Sequence, residues 1–290
     1  MRGLINVIDI GTGSTKASLF ECGETTCEQV AFKSVDVRIG GEISAKIGED
    51  RRDAAVEVVE NLLSFGQKNG AESAICVATY ALRSAKNARE FLLKIRAETG
   101  LDVHVLSGLE EARLVGNSVK NMEKIEKFFS LDVGGGSVEF NLFNGAHIFS
   151  ASRDIGAINL ANILCCNHLK PSIENITNIV RKSMENIPLP TKDDKIICTG
   201  GCLAIGKRFL AMADAKNVSA AAVESLFHRI SPMGTGERLA FGIPRGKVDI
   251  FDIALAIVIA TLSCVKRGEV LISDASVRHG VAINRALFSN

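Results

Sequence analysis

Apolar positions along this chain recur with two periods, and the switches between them lay out its elements. Three short runs, Leu4–Ile10, Lys16–Glu21 and Cys27–Val35, are joined by polar segments of a few residues and read as an antiparallel meander. A polar, glycine-rich segment follows, Asp36–Asp50, with Arg38, Gly40, Gly41, Lys46 and Gly48, and reads as a loop. Then the period lengthens. Ala55, Val58, Val59, Leu62, Leu63 and Phe65 predict a helix over Arg51–Lys68, with Gly66 and Gly70 marking its end. Ala74–Ala78 is a buried strand, Lys86–Thr99 a helix with Phe91, Leu92 and Ile95 inward, and Val103–Leu106 a strand. Ser107 can cap a helix over Leu109–Val119. The order βββαβαβα predicts an α/β unit.

The second half repeats this layout less cleanly. Phe129–Val133 is a strand, three glycines follow, and Val138, Phe140 and Leu142 alternate along the next strand. Ala146–Ser152 is strand-like and Ala157–Leu164 an apolar helix. Further on come helix Ser172–Asn186, strand Lys195–Thr199, a short helix Leu203–Leu210, and helix Ala220–Ile230 capped by Ser219. The long apolar helix Asp249–Lys266, strand Val270–Ser273 and closing helix Arg278–Leu287 complete the chain. The charged stretch Lys120–Lys127 suits a boundary, which gives domains 1–122 and 123–290, with closing helix 278–290 free to pack back on the first.

The two glycine hairpins align. Asp9-Ile-Gly11-Thr-Gly13-Ser14 and Asp132-Val-Gly134-Gly-Gly136-Ser137 share Asp, Gly, Gly and Ser at the same spacings. Such a pair implies an internal duplication, each half offering one tip to a shared cleft. Glycine tips let backbone N–H groups approach phosphate oxygens, and flanking carboxylates suit a hard divalent cation.

Composition narrows the class. The chain has 290 residues, enough for two cores, with 47% hydrophobic and 23% charged residues. A net charge of +1 argues against broad capture of nucleic acid. No signal peptide is read at the N-terminus, and the apolar run Ile253–Val265 is too short to span a bilayer, so neither membrane insertion nor export is expected. The eight cysteines lack zinc or ferredoxin spacing, which predicts reduced, buried thiols and a cytoplasmic location.

Two side chains stand out beside the tips. On the helix after Ser107, Leu109, Ala112, Val115, Gly116 and Val119 form the expected buried face. Glu111 falls at its margin, and Glu110 on the wetter side as an i, i+3 partner of Arg113. A carboxylate at an apolar margin can have a raised pKa and accept a proton. Arg83 follows a buried strand, where α/β folds place ligand groups, and its fork can clamp phosphate. Thr199-Gly200-Gly201 is a third glycine turn that could back a phosphate or nucleoside.

The chain resembles the exopolyphosphatase and guanosine pentaphosphate phosphohydrolase family, within the actin, Hsp70 and sugar-kinase superfamily. The resemblance runs through Val7–Ser14, Ala78–Arg83, Ser107–Arg113, Asp132–Glu139, Ser152–Gly156, Thr199–Gly201 and Ser273–Gly280. It implies two duplicated ribonuclease-H-like, actin-like ATPase domains with a cleft between them. It implies Glu111 as catalytic base and Arg83 as the grip on the terminal phosphate. Thr12, Gly13 and Ser14, and Gly134, Gly135, Gly136 and Ser137, become the phosphate-cradling loops. Asp132 and Glu139 become acids near a divalent metal, Mg²⁺ or another, and Asp9 is grouped with them. The implied substrate is inorganic polyphosphate of short length or guanosine pentaphosphate, and homodimerisation is compatible with the sequence.

Two departures bear on this. Gly13 stands where the family usually has Asn, so one side-chain bond to phosphate is missing or replaced by backbone. The chain ends at Asn290, where long members continue into a helical domain, which predicts a shorter polyphosphate channel. Three rivals remain: an ATP-dependent kinase or ATPase of the same superfamily, an ATP-driven redox activator with an iron–sulfur cluster on Cys165/Cys166 or Cys198/Cys202, and a non-enzymatic phosphate-chain sensor.

Overall fold

A computed structural model describes residues 3–23, 26–40, 46–210 and 217–288; Gly41 and the chain ends lie outside this range. The chain divides into two compact units, Met1–Ser118 with Val277–Asn290, and Val119–Ser276.

In the first unit the meander is β1 (Gly3–Ile10), β2 (Thr15–Cys22) and β3 (Cys27–Val35), followed by α1 (Glu49–Lys68). Strand β4 (Ser73–Ala78), helices α2 (Tyr80–Ser84) and α3 (Ala88–Thr99), strand β5 (Val103–Val105) and helix α4 (Gly108–Glu123) follow. The sheet order is β3-β2-β1-β4-β5, with β1–β3 antiparallel and β4 and β5 parallel to β1. Ile8, Ile10, Val59, Leu62, Phe91 and Ile95 fill the core between sheet and helices. The closing helix α11 (Val277–Ile283) lies in this unit, where Arg278 Nη1 donates to Asp9 Oδ2 at 3.2 Å and its Nε to Ser18 Oγ at 2.9 Å.

The second unit opens with β6 (Lys127–Val133), β7 (Val138–Asn144) and β8 (Ala146–Arg153), then α5 (Ala157–Cys166) and α6 (Ile173–Ser183). Strand β9 (Lys195–Thr199), α7 (Gly201–Gly206), β10 (Asn217–Ser219), α8 (Ala220–Ile230), α9 (Thr235–Ala240), α10 (Phe251–Val265) and β11 (Glu269–Ile272) complete it. Read from its meander edge the sheet runs β8-β7-β6-β9-β11-β10, the first unit's order with one strand added. Helix α10 is apolar around nearly all of its surface and buried along nearly all of its length, with Asp252 in its first turn and Ser263 exposed near its end. Among the described residues no helix is long and apolar enough to cross a membrane.

Several expectations need correction. Cys22 and Cys27, directly opposite in the β2–β3 register, form a disulfide, so the chain is not uniformly reduced. Cys165 and Cys166 are exposed. The Cys22–Cys27 pair closes the β2–β3 ladder at its turn end, ahead of the register shift between Leu19 and Phe20, so it follows from the hairpin register and not from any metal-ligand spacing. Leu109 is 44% exposed and lies off the buried face of α4, which is centred on Glu111, Ala112, Val115, Ser118 and Val119. Among the described residues Glu110 makes no pair with Arg113. It closes a capping box, accepting from Ser107 N at 2.8 Å while its own N–H donates to Ser107 Oγ at 3.2 Å. Helix α9, absent from the sequence reading, is anchored through Arg238 to Asp252 on α10.

Candidate active site

The two hairpin tips are built alike. Gly11 N donates to Ser14 O at 3.2 Å, and Gly134 N to Ser137 O at 3.1 Å. A Cβ added to either leading glycine would meet that serine carbonyl at 2.9 Å, so the turn excludes a side chain there. The likeness reaches the neighbouring strands. Cys76 pairs with Ile8 and Cys198 with Leu131, each one residue before the aspartate. Both thiols are pushed well above their ordinary range by burial and then by the adjacent charge, Asp9 or Asp132, which leaves them as inert core residues.

Each tip is held from behind by a glycine N–H. In the second unit Gly156 N donates to Gly136 O (3.1 Å), Ala157 N to Gly134 O (3.0 Å), and Ile158 N and Asn159 N to Gly135 O (2.8 and 3.2 Å). All three glycine carbonyls of the turn therefore face the start of α5. In a trans peptide the N–H points opposite its C=O, so the N–H groups of Gly135, Gly136 and Ser137 are turned the other way, as an anion nest requires. Gly156 has no room for a side chain: a Cβ would lie 2.5 Å from Gly136 C and Ser137 N. In the first unit Gly40 N donates to Thr12 O at 3.1 Å, and a Cβ there would meet Thr12 Cγ2 at 2.6 Å. Thr12, Ser14 and Ser137 are all buried.

Arg83, at the end of α2, sends Nη1 to Leu106 O and to Glu111 Oε2, both at 2.9 Å. Its Nη2 is buried without a hydrogen-bond partner among the described residues. Glu111 is only 7% exposed although it lies in the first turn of its helix. Arg83 and Glu111, 28 residues apart, thus form one ion-paired unit at 2.9 Å.

In the second sheet Asp132 stands opposite Glu139, and Glu139 opposite Ser152, while Asp132 pairs with Thr199 on its other side. Thr199 Oγ1 donates to Asp132 Oδ1 at 2.6 Å, and Ser152 Oγ to Glu139 Oε1 at 2.7 Å. Two carboxylates side by side across a strand pair are oxygen donors of the kind Mg²⁺ takes, so this donor set fits a divalent cation. Asp9 is set differently. It is paired with Arg278 and stands opposite Lys16 in register, so the first hairpin carries cationic groups where the second carries Glu139. Alignment of the hairpins puts Lys16 at the Glu139 position, a sequence signal that singles it out, whereas nothing local marks Arg278.

Comparison with known proteins identifies the family. The model of the Ppx/GppA phosphatase family matches residues 28–287. Exopolyphosphatase 1 of Mycobacterium tuberculosis is 24% identical over 140 residues, and that of Mycobacterium leprae 25% over 142. Each match spans 47% of this chain and only 41% and 42% of those relatives' lengths. An exopolyphosphatase structure from Cytophaga hutchinsonii superposes with a TM-score of 0.85 at 22% identity, covering 97% of each chain. The Aquifex aeolicus Ppx/GppA family member superposes with 0.79 at 21%, covering 99% of this chain and 98% of that one. These superpositions establish the two-domain actin-like fold. With the family model covering nearly the whole chain, this protein belongs to the Ppx/GppA phosphatase family.

Proposed function

We propose that the protein hydrolyses the terminal phosphoric anhydride of a phosphate chain, inorganic polyphosphate or guanosine pentaphosphate, and releases orthophosphate. The observation that carries this reading is the Arg83–Glu111 pair, with one guanidinium nitrogen buried and unpartnered beside a buried carboxylate. Nη2 donates to a terminal phosphate oxygen, while Nη1 keeps Glu111 in place. Glu111 accepts a proton from water as the water oxygen bonds to the terminal phosphorus. The bridging P–O bond breaks, and its electrons stay on the shortened chain. The N–H groups of Gly135, Gly136 and Ser137 in the second unit, and the turn at Thr12, Gly13 and Ser14 in the first, are the phosphate-binding groups of this reading. Asp132 and Glu139 are the residues that would hold Mg²⁺, whose chemistry is neutralisation of phosphate charge.

The test is phosphate release from polyphosphates of graded length and from guanosine pentaphosphate, with Mg²⁺ and no acceptor. Orthophosphate from either substrate supports the reading. ADP formation from ATP dependent on an added hydroxyl acceptor, with no phosphate from these chains, would replace it with a kinase.

A further inference from the structure

Four polar residues form a continuous row across four adjacent strands: Thr199 on β9, Asp132 on β6, Glu139 on β7 and Ser152 on β8, each opposite the next in register. Register partners in a sheet share a face. The two acids are in the middle and the two hydroxyls at the ends, each donating to the nearer acid. Glu139 is 1% exposed, so its partner is chosen by the protein and not by solvent.

We propose that Thr199 and Ser152 are positioning residues for the divalent cation. Each hydroxyl engages one oxygen of its carboxylate and fixes the plane of the group, so Asp132 and Glu139 present a preset pair of oxygens. This rests on the assignment of those acids to the cation in the preceding section. A carboxylate hydrogen-bonded from behind need not be ordered when the ion arrives, and removing such a bond typically costs about tenfold to a hundredfold in metal affinity. The backbone supports the same geometry. Gly200, at φ +127°, brings β9 so close to β6 that a Cβ would meet Val133 O at 2.5 Å, which holds Thr199 against Asp132.

The experiment is Mn²⁺ titration of the full chain by electron paramagnetic resonance, with activity followed in parallel. Thr199→Val and Ser152→Ala each delete a hydroxyl on a different strand. Each is expected to weaken Mn²⁺ about tenfold to a hundredfold, with turnover recovering as metal is raised. Thr199→Ser and Ser152→Thr, which keep the hydroxyl, are expected to stay within about threefold of wild type. Equal Mn²⁺ affinity in wild type, Thr199→Val and Ser152→Ala would overturn the positioning role. Asp132→Asn separates the two layers. If it leaves Mn²⁺ affinity unchanged, or wild type shows no saturable binding, the cation assignment goes and the positioning role goes with it. Hydroxyl-dependent Mn²⁺ binding in a protein that releases no phosphate would retire the hydrolase reading and keep this one.

Discussion

Arg83 Nη1 reaches Glu111 Oε2 at 2.9 Å, while its Nη2 is buried and has no hydrogen-bond partner among the described residues. A buried guanidinium nitrogen left unsatisfied is costly, so the fold carries a donor whose natural complement is an incoming anion. In the proposed reaction one side chain thereby orients the base and meets the group to be attacked. The carbonyl of Leu106, also 2.9 Å from Nη1, keeps the fork from turning.

Arg83→Lys is therefore expected to be damaging although the charge is kept. A single ammonium cannot reproduce the planar fork on Leu106 O, Glu111 and phosphate together. Losing one such donor to the transition state typically costs about a hundredfold to a thousandfold in kcat. Steady-state kinetics with a short polyphosphate checks this, and near-wild-type kcat and KM would take Arg83 out of the site.

Glu111→Gln should keep the fold, since the amide oxygen still accepts from Arg83, but it cannot take a proton from water. Turnover is expected to fall about a hundredfold to ten-thousandfold. Phosphate-chain binding, measured by calorimetry, should persist. Glu110→Gln, on a residue whose side chain is occupied with the cap of α4, should leave turnover nearly intact. The reverse ranking would exclude Glu111 as the base.

Glu110 makes a separate prediction for stability against pH. Hydrogen bonds from Ser107, its hydroxyl first and then its backbone N–H, hold the Glu110 carboxyl below the usual carboxylate range. A folded value below the unfolded one means that the contribution is fully present above the ordinary carboxylate pKa of about 4.3. It is lost as pH falls through the lowered folded value. The melting-temperature gap between wild type and Glu110→Ala should thus be open at neutral pH and close in acid. A gap independent of pH would mean that the cap is held by Ser107 alone.

What the sequence made legible was local. Periods placed the strands and long helices within a few residues, and the spacing Asp-x-Gly-x-Gly-Ser exposed both tips. Glu111 stood out from Glu110 by helical phase, although that phase was slightly rotated: Leu109 was assigned inward and is exposed. The Ser107–Glu110 cap, which the pattern of apolar residues does not encode, sets the first turn. Contacts distant in sequence were not legible. Nothing near Arg83 names Glu111, nothing near Arg278 names Asp9, and the need for glycine at 156 arises only when α5 meets the turn at 134–137.

Gly156→Ala tests that last contact. A methyl group 2.5 Å from Gly136 C and Ser137 N must push either α5 or the turn away, because both neighbours are backbone. Displacing the turn would swing its N–H groups off the phosphate oxygens they are proposed to bind, where a misplacement of about 1 Å can cost a hundredfold in rate. The expected signature is a rise in KM for polyphosphate together with a fall in kcat, in a protein that still melts cooperatively. A variant with wild-type kinetics would show that the turn does not depend on α5.

The last prediction concerns stability away from the site. Arg238 is 9% exposed, and its guanidinium is fully engaged: Nε to Met233 O, Nη1 to Val248 O and Asp252 Oδ1, Nη2 to Asp252 Oδ2 at 2.7 Å and to Ser231 O. Asp252, 3% exposed, is an acid in the first turn of the otherwise apolar α10, so Arg238 and the helix start both favour its charge there. Arg238→Ala strands that carboxylate and removes donors from three backbone carbonyls. Breaking a buried pair from one side typically costs about 3–5 kcal/mol. Asp252→Asn should cost less, because the amide still accepts from the guanidinium and leaves no negative charge behind. Replacing both, Arg238→Met with Asp252→Leu, should recover part of the loss, since the orphaned charge is gone while the carbonyls at Ser231, Met233 and Val248 remain unserved. Urea unfolding of the four proteins checks the order. If Arg238→Ala unfolds within about 1 kcal/mol of wild type, the pair is not what fastens α9 to α10.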